Sequence, residues 1–114
     1  MSDKELVYFD RLATELSFAK IDTASSGDNT IVTGISGQKI IVYSVAVIVG
    51  SANNIVWKSG STTIVGACNL AANGGYHFES MVGIMEAADG ENLIINLGGN
   101  VQTGGTVTFA QVPT

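Results

Sequence analysis

Charge is what this sequence has least of. Beyond residue 28 only six side chains are charged at pH 7: Lys39, Lys58, Glu79, Glu86, Asp89 and Glu91. Over the whole chain charged residues make up 13%, against about 25% in an ordinary soluble domain. A lone monomer of this mass shows water roughly 6,000 Å² of surface, and soluble proteins cover much of that with charge. The expectation is that part of this surface faces other protein. Basic residues are scarcer still, five in all, with a net charge of −5. The clustered Lys and Arg that neutralise phosphates are missing, which argues against a nucleic-acid partner.

Cysteine and histidine are each present once, as Cys68 and His77. A single cysteine excludes an intrachain disulfide, and one histidine without a second His or Cys at ligand spacing does not make a zinc site. The first dozen residues alternate charge with apolar groups and do not resemble a secretory signal, so folding in a reducing cytoplasm is expected. The longest apolar run, 40–49, is well short of the roughly 20 residues that cross a bilayer as a helix, and no membrane partner is expected. At 114 residues the chain has the length of one domain.

What is present is glycine, 14 residues of it, with Ser, Thr and Asn, punctuating short β-branched runs. Nine of the fifteen charged residues lie within the first 28 positions, dividing the sequence into an N-terminal arm, 1–28, and a β-domain, 29–114. In the arm, Ser2-Asp3-Lys4-Glu5 has capping-box spacing, and Leu6, Phe9, Leu12 and Leu16 recur at near-helical intervals, which favours a short amphipathic helix over 4–15 followed by an extended 17–23. The alternative is an extended arm with Leu16, Phe18 and Lys20 on one face. Either way the apolar side chains need something to pack against.

In the β-domain, strands are expected at 29–35, 39–50, 55–58, 62–67, 76–80, 92–97 and 106–112. Continuous apolar character at 40–42 and 45–49 implies a strand covered on both faces. The turns at 51–54 and 59–61 suggest a meander, and Asn73-Gly74-Gly75 is the strongest turn signal in the chain. About eight short strands at this spacing predict an all-β antiparallel sandwich or jelly roll.

Several residues invite chemistry. His77 and Glu79 would share one strand face as an acid–base pair. Glu86, Asp89, Glu91 and Asn92 gather oxygen ligands around Gly90 without EF-hand spacing, and an Asp-Gly turn explains them equally. Cys68 sits in an apolar run and reads as a buried structural thiol rather than a nucleophile. The stretches 59–63 and 104–106 lack the Gly-Lys-Ser/Thr signature of a phosphate loop and read as hairpin turns. Trp57, Tyr43, Tyr76 and Phe78 could stack sugars, but isolated aromatics on strands more commonly anchor cores or interfaces. No enzyme activity and no cofactor is expected.

Five Gly-rich segments recur together: Gly-x-Lys-Ile-x-Val at 37–42, Trp-Lys-Ser-Gly-Ser-Thr at 57–62, Gly-x-x-x-Leu-x-x-x-Gly-Gly at 66–75, Ala-Asp-Gly-Glu-Asn-Leu at 88–93 and Gly-Gly-Thr-Val-Thr-Phe at 104–109. Together they resemble small structural proteins of tailed bacteriophages, over about two thirds of the chain. The resemblance implies a virion component, a capsid cement or decoration protein that sits as a homotrimer on the capsid surface and locks the major capsid protein. It implies that Leu6, Tyr8, Phe9, Leu12 and Leu16 of the arm contact the shell, and that Trp57, Tyr76, His77 and Phe78 form the subunit interface. The alternative is a tail- or fibre-associated adhesion module that binds host-surface glycan.

Overall fold

The computed structural model describes residues 15–114. Nine strands follow one another: β1 (Ser17–Thr23), β2 (Gly27–Val32), β3 (Gln38–Val49), β4 (Asn53–Ser59), β5 (Thr62–Leu70), β6 (Gly75–Glu79), β7 (Met85–Ala87), β8 (Leu93–Leu97) and β9 (Thr103–Pro113). They form two antiparallel sheets. One runs β1-β9-β3-β6 with β7 also on β3, and the other runs β2-β8-β4-β5. The pairing is nested: first strand with last, second with next to last, β3 with β6 and β7, and β4 with β5 at the centre. A long hairpin rolled up in this way is a jelly roll.

The nesting corrects the expected meander. Only β4 and β5 are sequence neighbours that pair with each other; the bend after Val49 carries the chain from one sheet to the other. Strand β1 pairs with β9 along its whole length, so residues 17–23, expected as an extended part of the arm, form an edge strand of the five-stranded sheet. The expected helix over 4–15 lies outside the described residues, apart from Glu15, which is not helical.

The core follows strand alternation. Ile55 and Trp57 of β4, with Leu93, Ile95 and Leu97 of β8, point inward against Val45, Val47 and Val107. Each such side chain contributes about 1.5–3 kcal/mol on burial. In β3 the inward positions are Ile40 and Val42, then Val45, Val47 and Val49, because a bulge between Val42 and Ser44 shifts the phase by one residue. The opposite face at this end also buries apolar groups: Ile41, Tyr43, Ala110 and Val112 form a second cluster. Double-sided cover therefore holds for 40–43, while 44–49 alternates and leaves Ile48 exposed.

Two glycines show why strand limits differ from expectation. Strand β2 stops at Val32 because Gly34 lies so close to the 90–91 backbone that a Cβ there would stand 2.3 Å from the Gly90 carbonyl oxygen. Strand β9 begins at Thr103, three residues early, so 104–106 is strand rather than turn; Gly105 at φ 154 passes so close to β3 that a Cβ would meet the Ala46 oxygen at 1.8 Å.

Candidate interaction surface

The outward face of the five-stranded sheet is built from three cross-strand rows. Phe18, Thr108, Ser44 and Glu79 make the first, Lys20, Thr106, Ala46 and His77 the second, and Asp22, Gly104, Ile48 and Gly75 the third. Within these rows the middle strands carry Ile48 and otherwise small residues, none charged, and the charged side chains stand on β1 and β6. The absence of Cβ atoms at Gly104 and Gly105 leaves a shallow depression of about 440 Å³ beside Ala46 and Ile48. Phe18 is 75% exposed, and the turn after β6 presents Met81 at 68% and Val82 at 77%. The outer face of the other sheet is polar where Asp28 accepts hydrogen bonds from Asn96 Nδ2 at 2.6 Å and Lys58 Nζ at 3.1 Å.

At one flank, between β5 and β6, an apolar slot of about 360 Å³ is lined by Val45, Trp57, Val65, Tyr76, Phe78 and Met85, among others. The Tyr76 hydroxyl accepts the Trp57 indole N–H at 2.8 Å, and the rings of Tyr76 and Phe78 stand 4.9 Å apart at 34°. Burial raises the Tyr76 pKa, with the Trp57 hydrogen bond opposing and the nearby Cys68 adding to the rise.

Of the four residues expected at a subunit interface, Trp57, Tyr76 and Phe78 all line the slot, Trp57 as a core residue 1% exposed, and His77 points the other way, onto the outer face. His77 Nε2 lies 3.7 Å from Glu79 Oε1 with both side chains exposed, a solvated pair of little energetic weight. Of the expected arm contacts, Leu16 is exposed, while Leu6, Tyr8, Phe9 and Leu12 lie outside the described residues.

The oxygen ligands around Gly90 go to separate partners. Glu86 pairs with Lys39 at 3.4 Å, and Asp89 accepts from the Gly37 amide and the Thr114 hydroxyl, each at 2.8 Å. Glu91 accepts from Ser59 Oγ, and Asn92 accepts from the Gly34 amide at 2.7 Å. They stitch loops at one end of the sandwich, and among the described residues no three His, Cys, Asp or Glu side chains converge as metal ligands. The segment at 59–61 is the turn between β4 and β5, with Gly60 at φ 58. Cys68, expected to be buried, is half-exposed on β5.

No protein-family profile matches the chain, and neither does any curated protein. A solved structure from Bacillus endospore appendages, described as a novel family of disulfide-linked pili, is similar in fold, with a TM-score of 0.55 and 20% identity over 87% of each chain. The fold and surface together define a jelly-roll domain with an exposed apolar, charge-poor face.

Proposed function

We propose that this chain is a non-enzymatic structural subunit that works by protein–protein contact, and that its assembly is the virion of a tailed phage, where it decorates the capsid as a homotrimer bound to the major capsid protein. The observation that carries the assembly reading is the outward display of Phe18 and Ile48 on a sheet face whose middle strands otherwise carry Ser, Thr, Ala and Gly in these rows, with Met81 and Val82 exposed in the turn beside it. The step from assembly to virion rests on the Gly-rich motifs at 37–109. A standard interface covers about 800 Å² per partner. At about 25 cal/mol per Å² of apolar area, less association costs, many repeats of such a contact hold a shell together.

A fibre subunit is the second reading, favoured by the similarity in fold to the appendage protein. The disulfide linkage described for those pili does not transfer within these 114 residues: one thiol per chain joins chains in pairs and cannot propagate. Of the four aromatics named for the glycan-binding alternative, Trp57 lies in the core at 1% exposure and Phe78 is 52% exposed. Immunogold labelling with an antibody to this chain, on particles and cell-surface fibres from the encoding organism, tests the reading. Gold on phage heads supports decoration and gold along fibres supports the second reading. Label confined to the soluble fraction overturns both.

A further inference from the structure

Among the described residues, β1 lies at one edge of the five-stranded sheet and β6, in line with the short β7, at the other, and the hydrogen-bond phase shows which residues of β1 and β6 turn their backbone groups outward. Val49 donates to the Gly74 carbonyl and Ser80 to the Tyr43 carbonyl, each at 2.9 Å, on the β3–β6 register. Gly74, Tyr76, Phe78 and Ser80 therefore turn their backbone toward β3, and Gly75, His77 and Glu79 turn theirs to the open edge. Likewise Gly50 donates to Gln102 at 2.9 Å, which sends the even positions of β9 toward β3 and the odd ones toward β1. The β1 partners of those odd positions are Ser17, Ala19, Ile21 and Thr23, so the backbone groups of Phe18, Lys20 and Asp22 have no strand partner among the described residues. Both open sets also carry their side chains on the same outer face.

We propose that copies of this chain join edge to edge, with β6 of one adding the partner's β1 as an antiparallel strand in the register Glu79 against the partner's Lys20 and His77 against the partner's Asp22. Strand direction is satisfied: β1 runs antiparallel to β9, β9 to β3 and β3 to β6, so a translated copy presents β1 antiparallel to β6. Phase allows shifts of two residues only. Two residues one way, Glu79 faces the partner's Phe18 and His77 faces the partner's Lys20; two the other way, Glu79 faces the partner's Asp22. Only the proposed register sets Glu79 against the partner's Lys20, and it places the His77 imidazole opposite the carboxylate of the partner's Asp22. It also brings Met81, just past the end of β6, beside the partner's Phe18, two of the most exposed apolar side chains among the described residues.

Main-chain bonds supply affinity and the Glu79–Lys20 charge pair fixes register, the usual division of labour in strand addition. Because β6 and β1 are different surfaces, the contact is heterologous, and it closes into a ring such as a trimer or runs on as a filament depending on the rotation per copy. This inference rests on the assembly reading above and names its interface.

Charge reversal on each edge tests it. Lys20→Glu and Glu79→Lys, each purified alone, set like charges against each other across the junction and are expected to need at least tenfold more protein to assemble than wild type in sedimentation velocity. The double variant Lys20→Glu/Glu79→Lys restores opposite charges at every junction, in a filament or a ring of any size, and is expected to assemble at the wild-type concentration. Circular-dichroism melts matching wild type show that each variant is folded. Lys20→Cys with Glu79→Cys, in a Cys68→Ser background, adds a covalent readout: oxidation gives a ladder of linked chains. Single variants that assemble as wild type does, or a double variant that stays dissociated, overturn this interface while leaving the assembly reading standing. A wild-type chain that is monomeric throughout overturns both.

Discussion

The indole N–H of Trp57 donates to the Tyr76 hydroxyl at 2.8 Å, tying the floor of one sheet to the open edge strand of the other. Removing the acceptor by Tyr76→Phe leaves a buried donor without a partner, at a cost of about 1 kcal/mol or somewhat more. For a domain of this size that is a fall of about 5 °C in Tm. Trp57→Ala empties the core beneath it and is expected to cost about 3–5 kcal/mol. Thermal melts followed by circular dichroism measure both, and equal effects would contradict the placement of Trp57 as core and Tyr76 as its acceptor.

Asp28 gives the acid limb of stability a specific origin. Its pKa is lowered, first by the hydrogen bond from Asn96 and next by that from Lys58. A carboxylate with a depressed folded-state pKa contributes stability above its unfolded value, near 4, and loses that contribution as pH falls through the lower folded value. Tm should therefore drop more steeply below about pH 4 in wild type than in Asp28→Asn. Melts from pH 6 to pH 2 check this; parallel curves would contradict it.

Gly105 and Gly66 make a matched pair. A Cβ at Gly105 would stand 1.8 Å from the Ala46 oxygen, whereas at Gly66 nothing lies within 4 Å and the backbone is not in the positive-φ region. Gly105→Ala is expected to destabilise by about 2 kcal/mol or more. Gly66→Ala should be neutral or stabilise by up to about 1 kcal/mol by restricting the unfolded chain. Urea titrations of the two variants measure the contrast.

Cys68 separates non-covalent assembly from disulfide-linked assembly. It is half-exposed and is the chain's single thiol. Under oxidising conditions, non-reducing gels should show nothing larger than a pair of linked chains, and Cys68→Ser should assemble as wild type does. Assembly abolished by Cys68→Ser would assign the contact to the thiol.

Much of the sandwich was legible in the sequence because alternation reports burial: β3, β4, β6 and β8 fall where the apolar pattern puts them. Asn73, in the strongest turn signal, adopts φ 61, the left-handed value a type II turn demands at its third position. Pairing partners were not legible. The nesting of β1 with β9 joins residues as distant as Ser17 and Phe109, and nothing local in either strand records the other. The bulge after Val42 was hidden for a related reason, since a run of apolar residues masks the one-residue change of phase. Strand β7 has three residues, too few for a period to show. Scarcity of charge raised the expectation of an interface, while the burial of Trp57 was not legible because composition does not reveal which face of a strand an aromatic occupies.

The central claim, that this chain exists to assemble, is tested most directly by its mass in solution. Light scattering behind a sizing column, run from micromolar to hundreds of micromolar, should give masses at multiples of 11.8 kDa that grow with concentration or settle at a closed ring such as a trimer. A constant 11.8 kDa across that range would contradict the account, because the exposed edge strands and apolar side chains would then pair with no second copy.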